Sequence, residues 1–409
     1  MFGEQVEITD SPEVYRASVS PRINYSVENM VTGECRIHPE GLLEEVSVSP
    51  RSVHCMQWNG LPAFFATPGS IPFDLLAASF YLITRYEEYG SAAFDEYGRY
   101  DHTASLAWQQ NFLRLPLVNL WITELYKECF PAFAYQKPPF VFVPTYDVDI
   151  AYSYLHRPVW SNVLGFYREL LRGDFDKVVE RGNVYSGWEK DPFDTFNWLD
   201  ALHDRLGLQP VYFLLTILRR GPYDKNLPAR SKALQKLYAR LSERYAVGLH
   251  PSWQSGTEEY LLQEEKKRLE GITGRSITSS RNHYLRFSLP HSYRRLLDAG
   301  MRNDHSMAYA TVNGFRASYT LPFFWYDLER DQQTELCVHP FCYMEANSFF
   351  EQKYTPAQAM EELQYYNDII RQTGGVYATL FHNHFLTEQP QWRPWREMYL
   401  QFLERNFTQ

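Results

Sequence analysis

The chain has 409 residues, a formal net charge of −9 and a hydrophobic fraction of 44%. This is the composition of a globular protein with room for one large domain and a smaller one. No Lys/Arg-rich run is present, which argues against a nucleic-acid-binding protein. Aromatic residues make up 16% of the chain, a fraction that suits both sugar-binding clefts and large cores.

The cysteines and the apolar segments indicate in which cellular compartment the protein resides. The five cysteines form no C-x-x-C pair, so we expect neither a zinc ribbon nor a disulfide framework. The N-terminal segment lacks the apolar core of a signal peptide. The longest apolar stretch, around Leu75–Thr84, is far shorter than the roughly 18 residues of a membrane span. We therefore expect a cytoplasmic protein without a membrane span.

The first third of the chain predicts a small α/β domain. Phe73–Tyr89 has the apolar period of an amphipathic helix, and Asp101–Phe130 predicts a second helix. Three prolines interrupt regular structure in Phe130–Pro139. We therefore predict an N-terminal domain over 1–135, of unknown role, and a second domain over 136–409. Strand-like and loop-like segments of the first domain are Ser20–Asn29 and Val53–Ala66.

After residue 136, short apolar runs alternate with helical stretches, a pattern typical of βα units around a parallel sheet. Polar residues lie immediately after several of these apolar runs. In a closed barrel the carboxyl ends of the strands carry the active site, so the pattern favours an enzyme barrel. The apolar runs are Phe140–Val143, Val211–Leu215, Tyr245–Leu249 and Val376–Phe381, and the helical stretches include Arg230–Arg244 and Thr355–Gln372.

The first polar cluster is Thr145-Tyr146-Asp147-Val148-Asp149. If the strand reaches this far, Asp147 and Asp149 project from the same side, because alternate residues of a strand share a face. Two close carboxylates repel each other unless a cation holds one ionised while the other acts as a base. A solvated loop with two acids is the alternative.

Histidines supply the other clusters. His250 follows the third apolar run, Arg281 and His283 share parity, and His382 and His384 end the last run. Each also has a structural alternative, such as a histidine that caps backbone or an exposed basic strand end. His339 is a weaker candidate. The sequence contains no glycine-rich phosphate loop, G-x-S-x-G or H-E-x-x-H motif.

Taken in chain order, these segments resemble the polysaccharide deacetylases of carbohydrate esterase family four. The resemblance implies that Asp147 is the catalytic base and Asp149 a metal ligand. It implies that His250 is a second ligand, that Arg281 orients the base and that His382 protonates the leaving group. The backbone N–H of Tyr284 would help to form the oxyanion hole, and Trp253 lies beside the second motif and would contact substrate.

The whole chain is similar to bacterial deacetylase-like proteins with an extra N-terminal domain, in which FYLITRYEEYG, GFRAS and HPSWQS have counterparts. The resemblance implies an α/β fold, an irregular (β/α)-barrel of the deacetylase type preceded by a small α/β domain.

One position departs from the family pattern. The second motif usually carries another histidine four residues after the first, where this chain has Gln254. An amide oxygen is a poor zinc ligand. Either His283 supplies the missing nitrogen, or the site binds metal weakly or not at all.

We therefore expect a divalent metal, zinc above all, held by Asp149, His250 and His283. The expected activity is metal-dependent removal of N-acetyl or O-acetyl groups from an amino-sugar-containing saccharide, which in the cytoplasm would be nucleotide-linked or lipid-linked. A catalytically silent sugar-binding or assembly protein and a hydrolase of a small cyclic amide are the alternatives.

Overall fold

The computed structural model describes residues 6–90, 93–133 and 135–408. In these ranges the protein is a mixed α/β structure with one nine-stranded sheet and two small two-stranded sheets. The strands are β1 (Ile23–Tyr25), β2 (Cys35–Ile37), β3 (Cys55–Trp58), β4 (Leu61–Phe64), β5 (Phe140–Val148), β6 (Val211–Leu215), β7 (Ala246–His250), β8 (Ser279–Ser280), β9 (Asn303–Asp304), β10 (Phe323–Asp327), β11 (Gln332–Val338), β12 (Tyr343–Met344) and β13 (Gly375–His382). The α-helices are α1 (Pro12–Ala17), α2 (Leu75–Thr84), α3 (Leu106–Gln109), α4 (Leu117–Cys129), α5 (Val159–Leu171), α6 (Phe175–Ser186), α7 (Phe196–Leu206), α8 (Lys232–Arg244), α9 (Glu259–Thr273), α10 (His291–Asp298), α11 (Pro356–Thr373) and α12 (Arg393–Phe407).

The large sheet has the order β10-β11-β9-β8-β7-β6-β5-β13-β12. All neighbours are parallel except β10 and β11, which are antiparallel. This confirms the parallel sheet that the βα pattern predicts. The two outer strands each have one neighbour within the described ranges, so the hydrogen bonding is that of an open sheet, and closure into a barrel stays a prediction.

The central strands β5, β6, β7 and β13 are buried over their carboxyl-terminal halves, as parallel strands covered on both faces are. β6 matches its predicted range, Val211–Leu215. β5 is longer than predicted: it continues from Phe140 through Val148, paired with β13 up to Asp147. The polar residues that follow the apolar part of β5 therefore belong to the strand itself.

The predicted N-terminal helices are shorter than their apolar patterns. The Asp74 side chain caps α2 by accepting the Ala77 N–H at 2.9 Å, and Arg85 ends it in a left-handed conformation with φ 58°. The Arg85 guanidinium pairs there with the buried carboxylate of Glu88 at 2.7 Å. The stretch predicted as one helix over 101–130 is instead α3 and α4, because the chain turns at Asn111, where φ is 58°, and becomes helical again only after Pro116.

The N-terminal part contains a disulfide that the sequence analysis did not expect. Cys35 at the start of β2 is bonded to Cys129 at the end of α4. The expectation that no cysteines pair is wrong because the two residues are 94 positions apart and only the fold brings them together. Disulfides persist mainly in oxidising compartments, so this bond does not support the cytoplasmic assignment.

Buried ion pairs join the N-terminal part to the large sheet. Arg316 donates to both oxygens of Glu88, at 2.9 Å and 2.5 Å, and Arg85 donates to the Tyr309 hydroxyl at 3.0 Å. One continuous hydrophobic core contains residues from both sides of position 135. The two predicted domains therefore pack closely, and the boundary between them stays a prediction.

Across the described ranges, we find no helix with the length and apolarity needed to cross a membrane.

Candidate functional site

The polar clusters predicted from the sequence meet at the carboxyl ends of the parallel strands. Asp147 is the penultimate residue of β5 and Asp149 directly follows that strand, β7 ends with His250, and β13 ends with His382. Arg281 and His283 follow the short strand β8 directly. Because neighbouring parallel strands end at the same edge, residues more than two hundred positions apart become neighbours here.

The carboxylate of Asp149 is the centre of this cluster. The Nε2 atom of His250 lies 3.1 Å from Asp149 Oδ1, and the Nε2 atoms of His283 and His382 lie 3.4 Å and 3.5 Å from Oδ2. Asp147 approaches the same group, with its Oδ2 atom 3.6 Å from His250 Nε2. Ligand atoms of Asp149, His250 and His283 all lie within 4.8 Å of one another, so this triad could hold a metal ion.

Each of the three imidazoles is oriented through its other nitrogen. The Nδ1 atom of His250 lies 2.6 Å from the Arg281 carbonyl oxygen, that of His283 lies 3.0 Å from Asp224, and that of His382 lies 2.6 Å from Glu345. Metal-binding histidines usually have such a carbonyl or carboxylate partner, which fixes the tautomer and the ring orientation. All three Nε2 atoms are therefore directed at Asp149.

The His250–Asp149 contact is chemically incomplete. The Arg281 carbonyl can only accept a hydrogen bond, so His250 donates to it from Nδ1 and a neutral ring has a lone pair on Nε2. Asp149 Oδ1 and His250 Nε2 are both buried and make no hydrogen bond, although they lie 3.1 Å apart. Two acceptors in this position require a proton or a cation between them.

The charged groups in the cluster shift one another's pKa values. Desolvation raises the pKa of Asp149, but the neighbouring imidazoles, His283 first, oppose it more strongly, so its pKa lies well below the usual value. Desolvation lowers the pKa of His283, yet the carboxylates of Asp149 and Asp224 raise it overall to about 9. Without a metal, the site therefore contains the Asp149 carboxylate beside the protonated imidazole of His283.

His382 has a separate carboxylate partner. Glu345 accepts both the backbone N–H and the Nδ1–H of His382, each at 2.6 Å. Desolvation lowers the pKa of His382, but Glu345, aided by Asp149 and Asp147, raises it overall to about 10. His382 thus carries a proton at neutral pH, as a general acid requires.

Asp147 is paired with a fully buried arginine. Arg281 Nη1 donates to Asp147 Oδ1 at 3.0 Å and to the Thr145 hydroxyl at 2.7 Å. The guanidinium lies 4.3 Å from the ring centre of Phe213. Gly248 makes room for that ring, because a Cβ atom at this position would lie 2.6 Å from a Phe213 ring carbon. The glycine before His250 therefore supports the arginine that holds Asp147.

Gln254 lies outside the cluster. Its amide oxygen accepts a hydrogen bond from Arg219 Nε at 2.6 Å, on a short helical turn after β7. Of the two alternatives left open by the sequence, the geometry agrees with the one in which His283 occupies the vacant ligand position.

An aromatic cluster borders the site on the His283 side. It consists of Tyr97, Tyr223, Trp253 and Tyr284, all half-buried, and the Tyr284 ring lies 4.6 Å from the His283 ring. Trp253 donates its backbone N–H to Asp224, the residue that also orients His283. Both predicted substrate-contacting residues, Trp253 and Tyr284, therefore lie in one cluster beside the candidate metal ligands.

Two other histidine candidates lie apart from the triad. His384 is close to His382, with ring centres 5.4 Å apart, and burial lowers its pKa to about 3, so it is neutral. His339 contacts Asn303 at 2.9 Å and stacks on His305. Neither belongs to the candidate metal-binding group.

Sequence reasoning missed Glu345 and Asp224. Glu345 directly follows β12, so it obeys the same strand-end rule, but β12 has only two residues and no recognisable apolar run. Asp224 lies in the long connection after β6, where spacing to the strand carries no information. The position of Glu345 at a strand end is a signal that could have identified it from the sequence. No such signal exists for Asp224.

Comparison with known protein families finds a match for the N-terminal part of the chain. Residues 1–130 match a family of unknown function, DUF7033. No curated protein sequence matches the chain.

Solved structures similar to this one include polysaccharide deacetylases. A polysaccharide deacetylase candidate from Mycobacterium smegmatis is 14% identical, with a TM-score of 0.41, over 67% of this chain and 85% of that one. The Bacillus cereus polysaccharide deacetylase is 14% identical, with a TM-score of 0.31, over 66% and 88%. A 4-alpha-glucanotransferase from Thermococcus litoralis is 11% identical, with a TM-score of 0.37, over 67% and 38%.

Replacing Glu345 with Gln should abolish the high pKa of His382. Without the carboxylate, desolvation is less strongly opposed, and the pKa should fall from about 10 towards 6.5 or below. Because the folded-state pKa is raised, this pair stabilises the metal-free protein fully below pH 6.5, and the contribution disappears as the pH rises through about 10. Histidine NMR titration of chelator-treated protein measures the change.

The control for this titration is Glu351→Gln, which removes a carboxylate in the same region without contacting His382. It should leave the His382 titration unchanged. A His382 pKa that stays high in Glu345→Gln would show that Glu345 does not cause the shift.

Proposed function

We propose that the protein is a metal-dependent deacetylase that removes N-acetyl or O-acetyl groups from an amino-sugar-containing saccharide. The observation that carries this proposal is the convergence of three imidazole Nε2 atoms on the Asp149 carboxylate, beside the Asp147–Arg281 pair. An ion site with a spare carboxylate next to it is the arrangement that metal-assisted hydrolysis needs.

The residues present fit a divalent cation. Two imidazole nitrogens and one carboxylate oxygen are ligands that zinc accepts in catalytic sites, which keep a further position for water. The unpaired atoms Asp149 Oδ1 and His250 Nε2 support the same assignment, because a cation would satisfy both. Asp149, His250 and His283 would hold the ion, and zinc is the metal that this set favours.

Asp147 is the proposed general base. A bound cation lowers the pKa of a coordinated water and polarises the acyl carbonyl. Asp147 would accept the proton from the attacking water, since its Oδ2 atom faces the cluster while Arg281 holds Oδ1. Arg281 fixes the direction of this carboxylate through a charge-assisted hydrogen bond.

His382 is the proposed general acid. It carries a proton at neutral pH and lies beside Asp149. It would donate this proton from Nε2 to the departing amine, while Glu345 stabilises the ring at Nδ1. The backbone N–H of Tyr284 would stabilise the oxyanion, a contribution of about 3–4 kcal/mol for a well-placed donor. Acetate and a free amino sugar are the products.

The aromatic cluster is the proposed sugar-contacting surface, because aromatic rings stack on the apolar faces of sugar rings. One of its members, Tyr97, comes from the N-terminal part of the chain. Arg286 donates to the Tyr97 carbonyl at 3.0 Å, and Arg99 donates to the Tyr284 carbonyl at 3.4 Å, which fastens this loop to the site. The N-terminal domain would thus take part in substrate binding.

The metal content of variants should show whether His283 or Gln254 is a metal ligand. Wild type and Gln254→Ala should both retain about one zinc per chain, whereas His283→Ala should bind zinc at least about 10–100-fold more weakly. Elemental analysis and chelator competition measure this. Equal loss in both variants would contradict the assignment of His283 as a ligand.

Replacing Asp147 with Asn should reduce acetate release from N-acetylhexosamine-containing glycans by about 10²–10⁴-fold, because the base is lost. The zinc content should not change. Asp331→Asn, an exposed aspartate far from the cluster, is the matched control. The proposal fails if the zinc-loaded wild type releases no acetate from a broad panel, or if Asp147→Asn retains full activity.

Replacing Tyr97 with Ala should raise KM for a saccharide substrate about tenfold with little change in kcat, since stacking affects binding rather than the chemical step. Tyr97→Phe should behave like wild type because it keeps the ring. Phe94→Ala, an exposed aromatic in the same loop region, is the control. A fall in kcat with constant KM would argue against a binding role for Tyr97.

A further inference from the structure

The helices α5 and α6 form a hairpin whose apolar side chains face outward. Of the thirteen residues of α5, Asn162 alone is buried. Trp160 is 79% exposed and Leu171 is 87% exposed, in a protein with an extensive core elsewhere. The exposed apolar side chains of α5 are Val159, Trp160, Val163, Leu164, Phe166, Tyr167, Leu170 and Leu171.

The packing of α5 is inverted relative to an ordinary surface helix. At 100° per residue, its eight exposed apolar side chains fall within an arc of about 160°. The opposite face is polar, and this is the face that packs: Arg181 of α6 donates to Glu169 at 2.9 Å and to the Asn162 side chain at 2.9 Å. Gly165 allows this close approach, because a Cβ there would lie 2.6 Å from the Arg181 guanidinium.

α6 and the turn after it also expose apolar side chains. Phe175 is 62% exposed, Val179 is 59% exposed and Trp188 is 82% exposed. An exposed apolar surface as broad as the one on α5 marks an interaction site, because leaving it in water is unfavourable. We refer to the exposed apolar side chains of α5 and α6, with Trp188, as the hairpin face.

The charges beside the hairpin face indicate what covers it. Arg168 on α5 and Arg172, the residue that caps this helix, are exposed and make no ion pair within the described ranges, and Asp176 is the one exposed acid of α6 that makes none. The acid of α5, Glu169, is neutralised by Arg181. The helix therefore presents Trp, Tyr and Leu side chains flanked by unpaired arginines, which is the pattern of helices that lie in the interface of an anionic membrane.

We infer that the hairpin face attaches the protein to the surface of a membrane that contains anionic lipids. With thirteen residues, α5 is about 20 Å long, too short to cross a hydrocarbon core of about 30 Å. It lies along the interface instead, with its apolar face among the acyl chains and its arginines at the headgroups.

The base of the hairpin adjoins the candidate active site. Asn383 is the residue between His382 and His384. It donates to the carbonyls of Ile150 and Phe193 at 2.9 Å each, and so joins the segment before α5 to the segment after α6. Asp191 accepts the backbone N–H groups of Ser153, Tyr154 and Leu155 at 2.7–2.8 Å. Membrane attachment through the hairpin therefore brings the carboxyl ends of the strands to the lipid surface.

This placement selects among the saccharides that the enzyme could use. A saccharide linked to a membrane lipid would be presented to the site, whereas a nucleotide-linked sugar would gain nothing from attachment. The choice of a lipid-linked substrate rests on the proposed deacetylase function, but the membrane attachment itself does not.

Vesicle sedimentation of the full-length protein tests the attachment directly. The protein should sediment with vesicles in which phosphatidylglycerol replaces about a third of the phosphatidylcholine, less with phosphatidylcholine alone, and less at high salt. The variant Trp160→Ser/Leu164→Ser/Leu171→Ser should reduce the bound fraction at least about tenfold. Arg168→Gln/Arg172→Gln should remove most of the preference for the anionic vesicles.

Tyr260→Ser is the matched control, since Tyr260 is 72% exposed on α9, away from the hairpin, and should bind vesicles like wild type. Every variant should keep its zinc content and its activity on a soluble glycan, so failure of the deacetylase proposal is seen separately. The inference is overturned if wild type stays in the supernatant with every vesicle, or if the triple variant binds equally. It is also overturned if sedimentation velocity shows a wild-type dimer that the triple variant abolishes, because the hairpin face would then cover a second copy.

Discussion

The Asp149 carboxylate and the three imidazoles directed at it determine the arrangement of the site. A carboxylate in this position needs positive charge close to it. The imidazoles can supply this charge when they are protonated, or they can bind a cation that supplies it. The three Nδ1 partners are a backbone carbonyl and two carboxylates, and they leave each Nε2 directed inward. The cluster is therefore preorganised before any ion binds, and binding an ion would release protons from it.

A second layer of residues protects this geometry. Arg281 is fully buried, and its Nη1 atom contacts both Asp147 and Thr145 on β5 while its carbonyl holds His250. One residue thus positions both the proposed base and a proposed ligand. The space it needs comes from Gly248, since any side chain there would displace the Phe213 ring beneath the guanidinium. A substitution at Gly248 would disturb the chemistry without touching a reacting group.

Much of the site was predictable because the chemistry lies at strand ends. Short apolar runs located β5, β6, β7 and β13, and the polar residues after them followed from the rule that parallel strands end at one edge. Parity placed Asp147 with Asp149, and the structure brings both to the same imidazole. The strand-end rule could not decide whether Gln254 or His283 is near the other ligands, since this depends on the direction in which a loop leaves its strand.

Other features escaped because they depend on distant pairings. The Cys35–Cys129 disulfide closes a loop of 94 positions, and no local pattern marks it. Glu345 pairs with His382 across adjacent strands, but β12 is too short to be seen as a strand. Tyr97 joins the aromatic cluster from a part of the sequence where no catalytic spacing is present. In each case the missing information is which segments become neighbours.

The inverted helix α5 shows a different limit of sequence reasoning. An amphipathic period normally identifies the side of a helix that packs on the core, because burial of apolar surface drives folding. In α5 the buried interactions of Asn162 and Glu169 with Arg181 occupy the inward face instead. The same period is compatible with either orientation, and only the position of the polar partner on α6 decides between them. An apolar stripe therefore identifies a surface that must be covered, while the partner that covers it has to be inferred from the charges around the stripe.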